Sequence, residues 1–211
     1  RVLMTMEGTY PYFEGGVSTW CDALTRQLGE VDFTLLALTM HPYLKPSYAV
    51  HANVRELITL PLWGIEQPAE FRYERPFSAH LERGWSTTAA AIDSRFVPPF
   101  ASLLRAIVDG APDSAAPALV ALHDYFQEYD YDKSLRSEAA WDTAVRELSA
   151  DPIRECPGRP PAVDEVVRSL RLLYHVLQPL ALPLPRCDVS HSSAAAFCGL
   201  PCVVAKLKHG V

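Results

Sequence analysis

The N-terminal part of the chain alternates between strand-like and helix-like patterns of apolar residues. Three short apolar runs have the length of β-strands, at residues 2–6, 32–38 and 54–60. Between the first two, apolar residues recur at steps of four, three and four: Val17, Cys21, Leu24 and Leu28. This spacing predicts an amphipathic helix that begins near Val17, is capped by Ser18 or Thr19, and ends at Gly29. Strand, helix and strand with short connections predict a parallel sheet covered by helices.

The pattern is helical from about residue 76 to residue 178. Segments with helical spacing lie at 100–108, 117–129, 135–148 and 163–177, and Pro or Gly residues separate them. A strand pattern resumes at 187–190, and a small-residue helix is expected from Ala194 onward. We therefore predict an α/β protein whose Rossmann-like parallel sheet carries a helical insertion between its third and fourth strands. An insertion of this length is expected to shape a binding surface.

Length, composition and charge narrow the class of protein. The 211 residues are 49% hydrophobic, which suffices for the core of one domain with or without an insertion. A net charge of -6 without a Lys/Arg cluster argues against nucleic acid or an anionic membrane as partner. No apolar run reaches the ~20 residues of a membrane helix, and no signal peptide is visible, so we predict a cytoplasmic protein. Both ends look cut, and we expect a piece of a longer protein.

Neither a disulfide framework nor a metal site is predicted. The cysteines are odd in number, have no CxxC spacing and mostly lie beside apolar residues: Cys21, Cys156, Cys187, Cys198 and Cys202. Buried, reduced thiols are the expected state. Asp130 and Asp132 form a DxD pattern, but a helix precedes them instead of a strand, and the spacing lacks the glycine and glutamate of an EF-hand loop.

The candidate chemistry lies between the first strand and the first helix. Gly15 and Gly16 come directly before the helix, so the N–H groups of Gly16, Val17 and Ser18 are predicted to lack helical partners. The positive end of the helix dipole would face the mouth of the strand, where a diphosphate could bind. The alternative is a tight turn that needs glycine for its backbone. The string is neither a P-loop, because no GK[ST] follows, nor GxGxxG.

The string EGTYPYFEGGVSTW, from Glu7 to Trp20, closely resembles the opening of PelF-like bacterial glycosyltransferases of family 4, which have the GT-B fold. Residues 125–137 with Trp141 are similar to the helical region of that family, and 188–191 and 199–211 to its next βα unit. The resemblance implies the N-terminal, acceptor-side Rossmann-like domain of an enzyme whose donor-binding C-terminal domain is absent here. It also implies sugar transfer from a nucleotide sugar, by resemblance a UDP-sugar, to a polysaccharide or other acceptor, without a cofactor.

The resemblance also sorts the candidate residues by role. Three are predicted to bind the donor phosphates and two to face the acceptor: Gly15, Gly16 and Val17, and Tyr10 and Tyr12. Glu7, at the end of the first strand, and His191, after the fourth, are the candidates for catalysis. Their alternatives are a solvated loop carboxylate and a hydrogen-bonded histidine, and the family's frequent His-x-His is broken here by Ser193. Trp63 and Trp85 are predicted to pack in the core.

Two other functions stay open at this point. One is a nucleotide-dependent enzyme of another reaction class, because a fold does not determine a function. The other is a non-catalytic interaction domain whose helical insertion docks a partner of a polysaccharide synthase complex. The predicted partners are a nucleotide sugar, a sugar acceptor, the C-terminal domain of the same protein and synthase subunits. The chain alone is predicted to be inactive, because the donor-binding carboxylates of the family lie in the other half.

Overall fold

A computed structural model describes residues 1–63, 76–149 and 161–211. The chain divides into two compact units. The first, which we call the sheet unit, comprises Arg1–Glu74 and Leu182–Val211. The second, which we call the helical unit, comprises Arg75–Ala181.

Four parallel strands form the centre of the sheet unit. They are β1 (Val2–Glu7), β2 (Phe33–Thr39), β3 (Val54–Pro61) and β4 (Val189–Ser192). Their order is β3-β2-β1-β4, so the chain builds outward from β1 to β3 and then adds β4 on the other side of β1. Met4 of β1 lies opposite Leu35 of β2 and His191 of β4. The predicted Rossmann-like α/β class is confirmed.

The helices of the described residues follow in chain order. They are α1 (Gly16–Gln27), α2 (Phe77–Ser86), α3 (Val97–Asp109), α4 (Pro112–Glu128), α5 (Tyr131–Leu135), α6 (Glu138–Ser149), α7 (Val163–Val176) and α8 (Gly199–His209). A short helical segment, Ala89–Ala91, and the π-helical Ile92–Phe96 lead into α3, and the 3₁₀ turn Gln178–Ala181 follows α7. As predicted, the helical insertion lies between the third and fourth strands.

The sheet is buried on both faces. Met4, Met6 and Leu35 pack with Cys21 of α1 on one face. Residues such as Leu3, Leu36 and Leu38 pack on the other face, together with Cys198 just before α8. Burial on both faces explains why β2 reads as a continuous apolar run instead of an alternating one.

Several predicted boundaries are wrong, each for a local reason. The N-cap position of α1 is Gly15, so Ser18 and Thr19 lie inside the helix and cap nothing. The helix predicted over 135–148 begins at Glu138, three residues later, because Leu135 ends α5 and the Ser137 hydroxyl accepts from the Ala140 N–H at the start of α6. In the sheet unit, β4 begins at Val189, two residues later than predicted, and residues 194–198 form a turn instead of a helix.

The helical unit has an aromatic core. Phe96, Phe100 and Phe126 are completely buried, and the rings of Phe96 and Phe100 stack with centroids 4.9 Å apart. Trp85, predicted to be a core residue, is 73% exposed, because it lies on α2, which buries none of its residues. In the sheet unit, Trp63 packs against the core as predicted, 6.4 Å from the ring of Phe197.

Candidate functional site

The strand order creates a topological switch point between β1 and β4. From β1 the chain passes through α1 to β2, whereas β4 lies on the opposite side of β1 and leads into α8. Open α/β sheets bind ligands in the crevice outside the carboxyl ends of the strands at such a point. Two segments follow these strand ends here: the glycine loop, residues 8–15, and the β4–α8 turn, residues 193–198.

The start of α1 is open to solvent. Gly15, Gly16 and Val17 are all exposed. No side chain caps this helix end, and its first turn contains no acidic residue. The first helical hydrogen bond runs from the Thr19 N–H to the Gly15 carbonyl, at 2.8 Å. The N–H groups of the three residues between them therefore have no acceptor within the helix. These donors carry the positive end of the helix dipole.

The backbone does not require glycine at either position of the pair. Gly15 is extended, with φ 161° and ψ 172°, and Gly16 is helical. A Cβ added to either residue would meet no heavy atom within 4 Å. By contrast, Gly8 at the end of β1 has a φ of 58°, in the left-handed region that favours glycine. A turn that needs glycine therefore accounts for Gly8 and leaves Gly15 and Gly16 unexplained.

Tyr10 and Tyr12 belong to the glycine loop, but their side chains are buried in the core. The Tyr10 side chain is 0% exposed, its ring lies 5.4 Å from that of Tyr48, and burial raises the pKa of its phenol. The Tyr12 hydroxyl forms a 2.5 Å hydrogen bond with the Thr59 hydroxyl, and its carbonyl accepts from Ser47 Oγ at 2.7 Å. In this arrangement neither ring offers an exposed face for stacking on a sugar.

Glu7 is the last residue of β1 and is half-buried. Its Oε2 accepts a hydrogen bond from the Phe197 N–H at 3.1 Å. Phe197 lies in the β4–α8 turn, two residues before α8 begins. The carboxylate thus binds the neighbouring loop of the switch point and does not stand free in solvent.

His191 lies within β4 and not in the loop after it. Its register partner is Met4, so it belongs to the face of the sheet that α1 covers. The exposed imidazole contacts the Trp20 ring of α1, with centroids 5.3 Å apart. The sequence misplaced His191 because residues 187–190 read as the strand, which in fact starts at Val189.

The structure thus gathers only part of the predicted site at the switch point. The residues at the carboxyl end of β1 are Glu7 and, beyond the glycine loop, Gly15, Gly16 and Val17. Sequence reasoning missed Phe197, whose N–H contacts a carboxylate 190 positions away in the chain. No local pattern could have revealed this pairing.

The two helix starts at this edge of the sheet differ in charge. Near the start of α8 the Glu7 carboxylate is already bound, whereas the start of α1 has no acidic residue in its first turn. An anion is stabilised at a helix N-terminus by the dipole and the unpaired N–H groups. Of these two positions, α1 is therefore the one with room for the anionic group of a ligand.

The first aspartate of the DxD pattern has a structural role. Asp130 is the N-cap of α5 and accepts from the Lys133 N–H at 2.7 Å. Across residues 1–63, 76–149 and 161–211 no group of three His, Cys, Asp or Glu side chains could hold a metal ion.

Four cysteines are free thiols, Cys21, Cys187, Cys198 and Cys202, and Cys156 lies outside the described residues. Burial raises the pKa of Cys21 to about 11. None of the helices in the described ranges combines the length and hydrophobicity needed to cross a membrane.

Comparison with known proteins assigns the chain to one family. The model of a family described as a domain of unknown function, DUF3492, matches residues 1–211, which is the whole chain. The chain therefore belongs to this family. No curated protein matches the chain, and no solved structure does either.

Proposed function

We propose that this member of the DUF3492 family is the acceptor-side, N-terminal domain of a glycosyltransferase, and that the start of α1 binds the phosphates of its nucleotide-sugar donor. The observation that carries the proposal is the pair Gly15 and Gly16. The fold leaves open space beside both residues and imposes no backbone geometry that needs glycine. A ligand that must approach the main chain closely would require the absence of side chains there.

The chemistry of sugar transfer matches this arrangement. A departing nucleoside diphosphate gains negative charge, and preorganised N–H donors at a helix start stabilise such charge without a metal. The location at the carboxyl end of β1, beside the switch point, is the place where open α/β sheets bind ligands. The resemblance of residues 7–20 to family 4 glycosyltransferases supports a nucleotide sugar, by that resemblance a UDP-sugar, over other anions.

The other parts of the proposal rest on the resemblance alone. They are a polysaccharide or other sugar as acceptor, a second domain that holds the donor and a place in polysaccharide synthesis. A cytoplasmic location is proposed as well, from the sequence pattern. Because the second domain would supply the donor-binding carboxylates, the chain by itself is expected to transfer no sugar from UDP-sugars. Turnover by the purified chain would contradict this expectation.

A second candidate function is an interaction domain, and the observation that favours it lies in the helical unit. Phe77 and Trp85 are 76% and 73% exposed on α2, and Leu81 lies between them on the same face. Exposed apolar patches of this kind often mark interaction sites. Loss of partner binding, without loss of nucleotide binding, on Trp85→Ala substitution would support this function.

Titration of the ¹⁵N-labelled chain with UDP and with pyrophosphate tests the phosphate site. We expect the largest shift changes at the amides of Gly16, Val17 and Ser18. A dissociation constant in the millimolar range is expected, because only main-chain donors and the helix dipole contribute. No shift changes up to about 10 mM ligand, or larger changes elsewhere in the chain, would refute the proposal.

Two glycine variants make the titration specific. Gly16→Val introduces a branched side chain where the phosphate would approach, and we expect affinity to fall by at least about tenfold. Gly29→Val is the matched control, because a Cβ at Gly29 also meets open space but lies just beyond the other end of α1. Equal weakening by both variants would show that the effect is not local to the start of α1.

A further inference from the structure

The β4–α8 turn is anchored by two side chains of β1. Thr5 Oγ1 donates to the Cys198 carbonyl at 2.6 Å, and Glu7 Oε2 accepts from the Phe197 N–H at 3.1 Å. Thr5 and Glu7 are two positions apart on a strand, so their side chains share the face covered by α8. Together they bind one acceptor and one donor on consecutive residues of the turn.

The rest of the turn is held at both ends. Where it leaves β4, the Ser193 N–H donates to the Thr5 carbonyl at 2.9 Å, and Ser192 Oγ donates to the Ala194 carbonyl at 2.7 Å. Where it enters α8, the Phe197 ring packs against the core and Trp63. Residues 194–196 between these anchors are exposed beside the carboxyl ends of β1 and β4.

The negative charge of the Glu7 carboxylate lies where the dipole of α8 favours it. The first turn of α8 contains no acidic residue of its own. Glu7 reaches the Phe197 N–H just before this helix, so its negative charge lies close to the positive end of the α8 dipole. The Glu7 carboxylate, which comes from β1, therefore stabilises the start of α8 as an acidic residue near the N-cap usually does.

We infer that Glu7 is a positioning residue and not a catalytic one: with Thr5 it fixes the β4–α8 turn beside the carboxyl ends of β1 and β4. The consequence for ligand binding rests on the proposed function, because the turn follows β4, the start of α1 follows β1, and these two strands are neighbours in the sheet. Glu7 thereby acts on the ligand through the turn and touches no substrate. This assignment replaces the catalytic role expected from the sequence.

Amide exchange of Phe197 tests the anchor without any ligand. Glu7→Ala removes the acceptor, and we expect Phe197 N–H exchange to accelerate by at least about tenfold. Glu7→Gln keeps a carbonyl oxygen at the same reach and should preserve most of the protection. Glu14→Ala is the matched control, because Glu14 is an exposed glutamate of the glycine loop. Unchanged exchange in Glu7→Ala would overturn the inference.

UDP titration of the same variants separates positioning from direct contact. We expect Glu7→Ala to weaken UDP binding about threefold to tenfold, and Glu7→Gln to stay within about twofold of the original chain. Equal weakening in both, with the Phe197 amide still protected in Glu7→Gln, would show direct contact and overturn the inference. Absence of UDP binding by the original chain would refute the proposed function, while Phe197 exchange would still decide the anchor. Should Glu7→Ala not fold, Glu7→Asp replaces it, because its shorter side chain cannot reach the turn.

Discussion

Replacing Glu147 by Ala tests the ion pair that joins α3 to α6 in the helical unit. Its carboxylate accepts from Arg105 Nε at 2.5 Å, from Arg105 Nη2 at 2.9 Å and from Arg146 Nε at 2.9 Å. The Glu147 side chain is only 5% exposed, whereas those of Arg105 and Arg146 are 60% and 57% exposed. The buried member of the cluster is thus the carboxylate alone.

This asymmetry determines the size of the effect. Glu147→Ala leaves two guanidinium groups that water can still reach, so no buried charge is stranded and the penalty for breaking a fully buried pair does not apply. The loss is that of charge-assisted hydrogen bonds to one carboxylate, and we expect the free energy of unfolding to fall by about 1.5–3 kcal/mol. Glu128→Ala is the matched control, because Glu128 and its partner Arg95 are both mostly exposed. Its effect should stay below about 1 kcal/mol.

The effect should also depend on pH in a defined direction. Hydrogen bonds from Arg105, and a further one from Arg146, hold the pKa of Glu147 below its ordinary value. A carboxyl group whose pKa is lower in the folded chain stabilises the fold above its unfolded pKa of about 4.3 and loses this contribution as the pH falls through the folded pKa. Urea denaturation, monitored by far-UV circular dichroism near neutral pH and at about pH 3, measures the difference in free energy of unfolding between Glu147→Ala and the original chain. The reasoning would be refuted if Glu147→Ala lowered the free energy of unfolding by no more than Glu128→Ala does. It would also be refuted if the loss caused by Glu147→Ala were as large at about pH 3 as near neutral pH.

Two further substitutions test the packing around α1. Tyr10→Phe should leave the free energy of unfolding unchanged or raise it by up to about 1 kcal/mol, because the buried Tyr10 hydroxyl forms no hydrogen bond of normal geometry with a described residue; a clear loss in urea denaturation would show that it binds the nearby Thr25 hydroxyl. Asn53→Ala should lower the free energy of unfolding by about 1.5–3 kcal/mol, because the two N–H bonds of the Asn53 amide are shared among the carbonyls of Thr25, Leu28 and Val31, at and just beyond the end of α1. Asn53→Asp should not restore stability, because a carboxylate donates no hydrogen bond, and a stable Asn53→Asp would contradict the assignment.

The elements that could be predicted from the sequence are those whose signal is local. The strand runs at 2–6, 32–38 and 54–60 and the helical stripe of α1 all lie within a few residues of where the structure has them. Their apolar periodicity directly reflects which face is buried, so burial can be inferred without knowledge of the neighbours. The start of α1 at the glycine pair was predictable for the same reason.

The parts that could not be predicted depend on contacts between distant residues. Residues 194–196 are alanines with high helix propensity, yet they form a turn because Thr5 and Glu7 bind Phe197 and Cys198. Tyr10 and Tyr12 read as surface aromatics of a glycine-rich loop. In the structure that loop is hydrogen-bonded to a distant segment, since the Pro11 carbonyl accepts from the N–H groups of residues 47 and 48. No spacing within either segment indicates these partners.

The negative charge of Glu7 would oppose a phosphate site at the same edge of the sheet if nothing balanced it. Its hydrogen bond to the Phe197 N–H sets the carboxylate near the positive end of α8, and this dipole offsets part of its field. The start of α1 has no comparable internal anion in its first turn. Under the proposed function, the two helix starts therefore bind two different anions: the Glu7 carboxylate at α8 and the phosphates of the ligand at α1. On this view the glutamate at the end of β1 and the exposed glycine pair are complementary parts of one site.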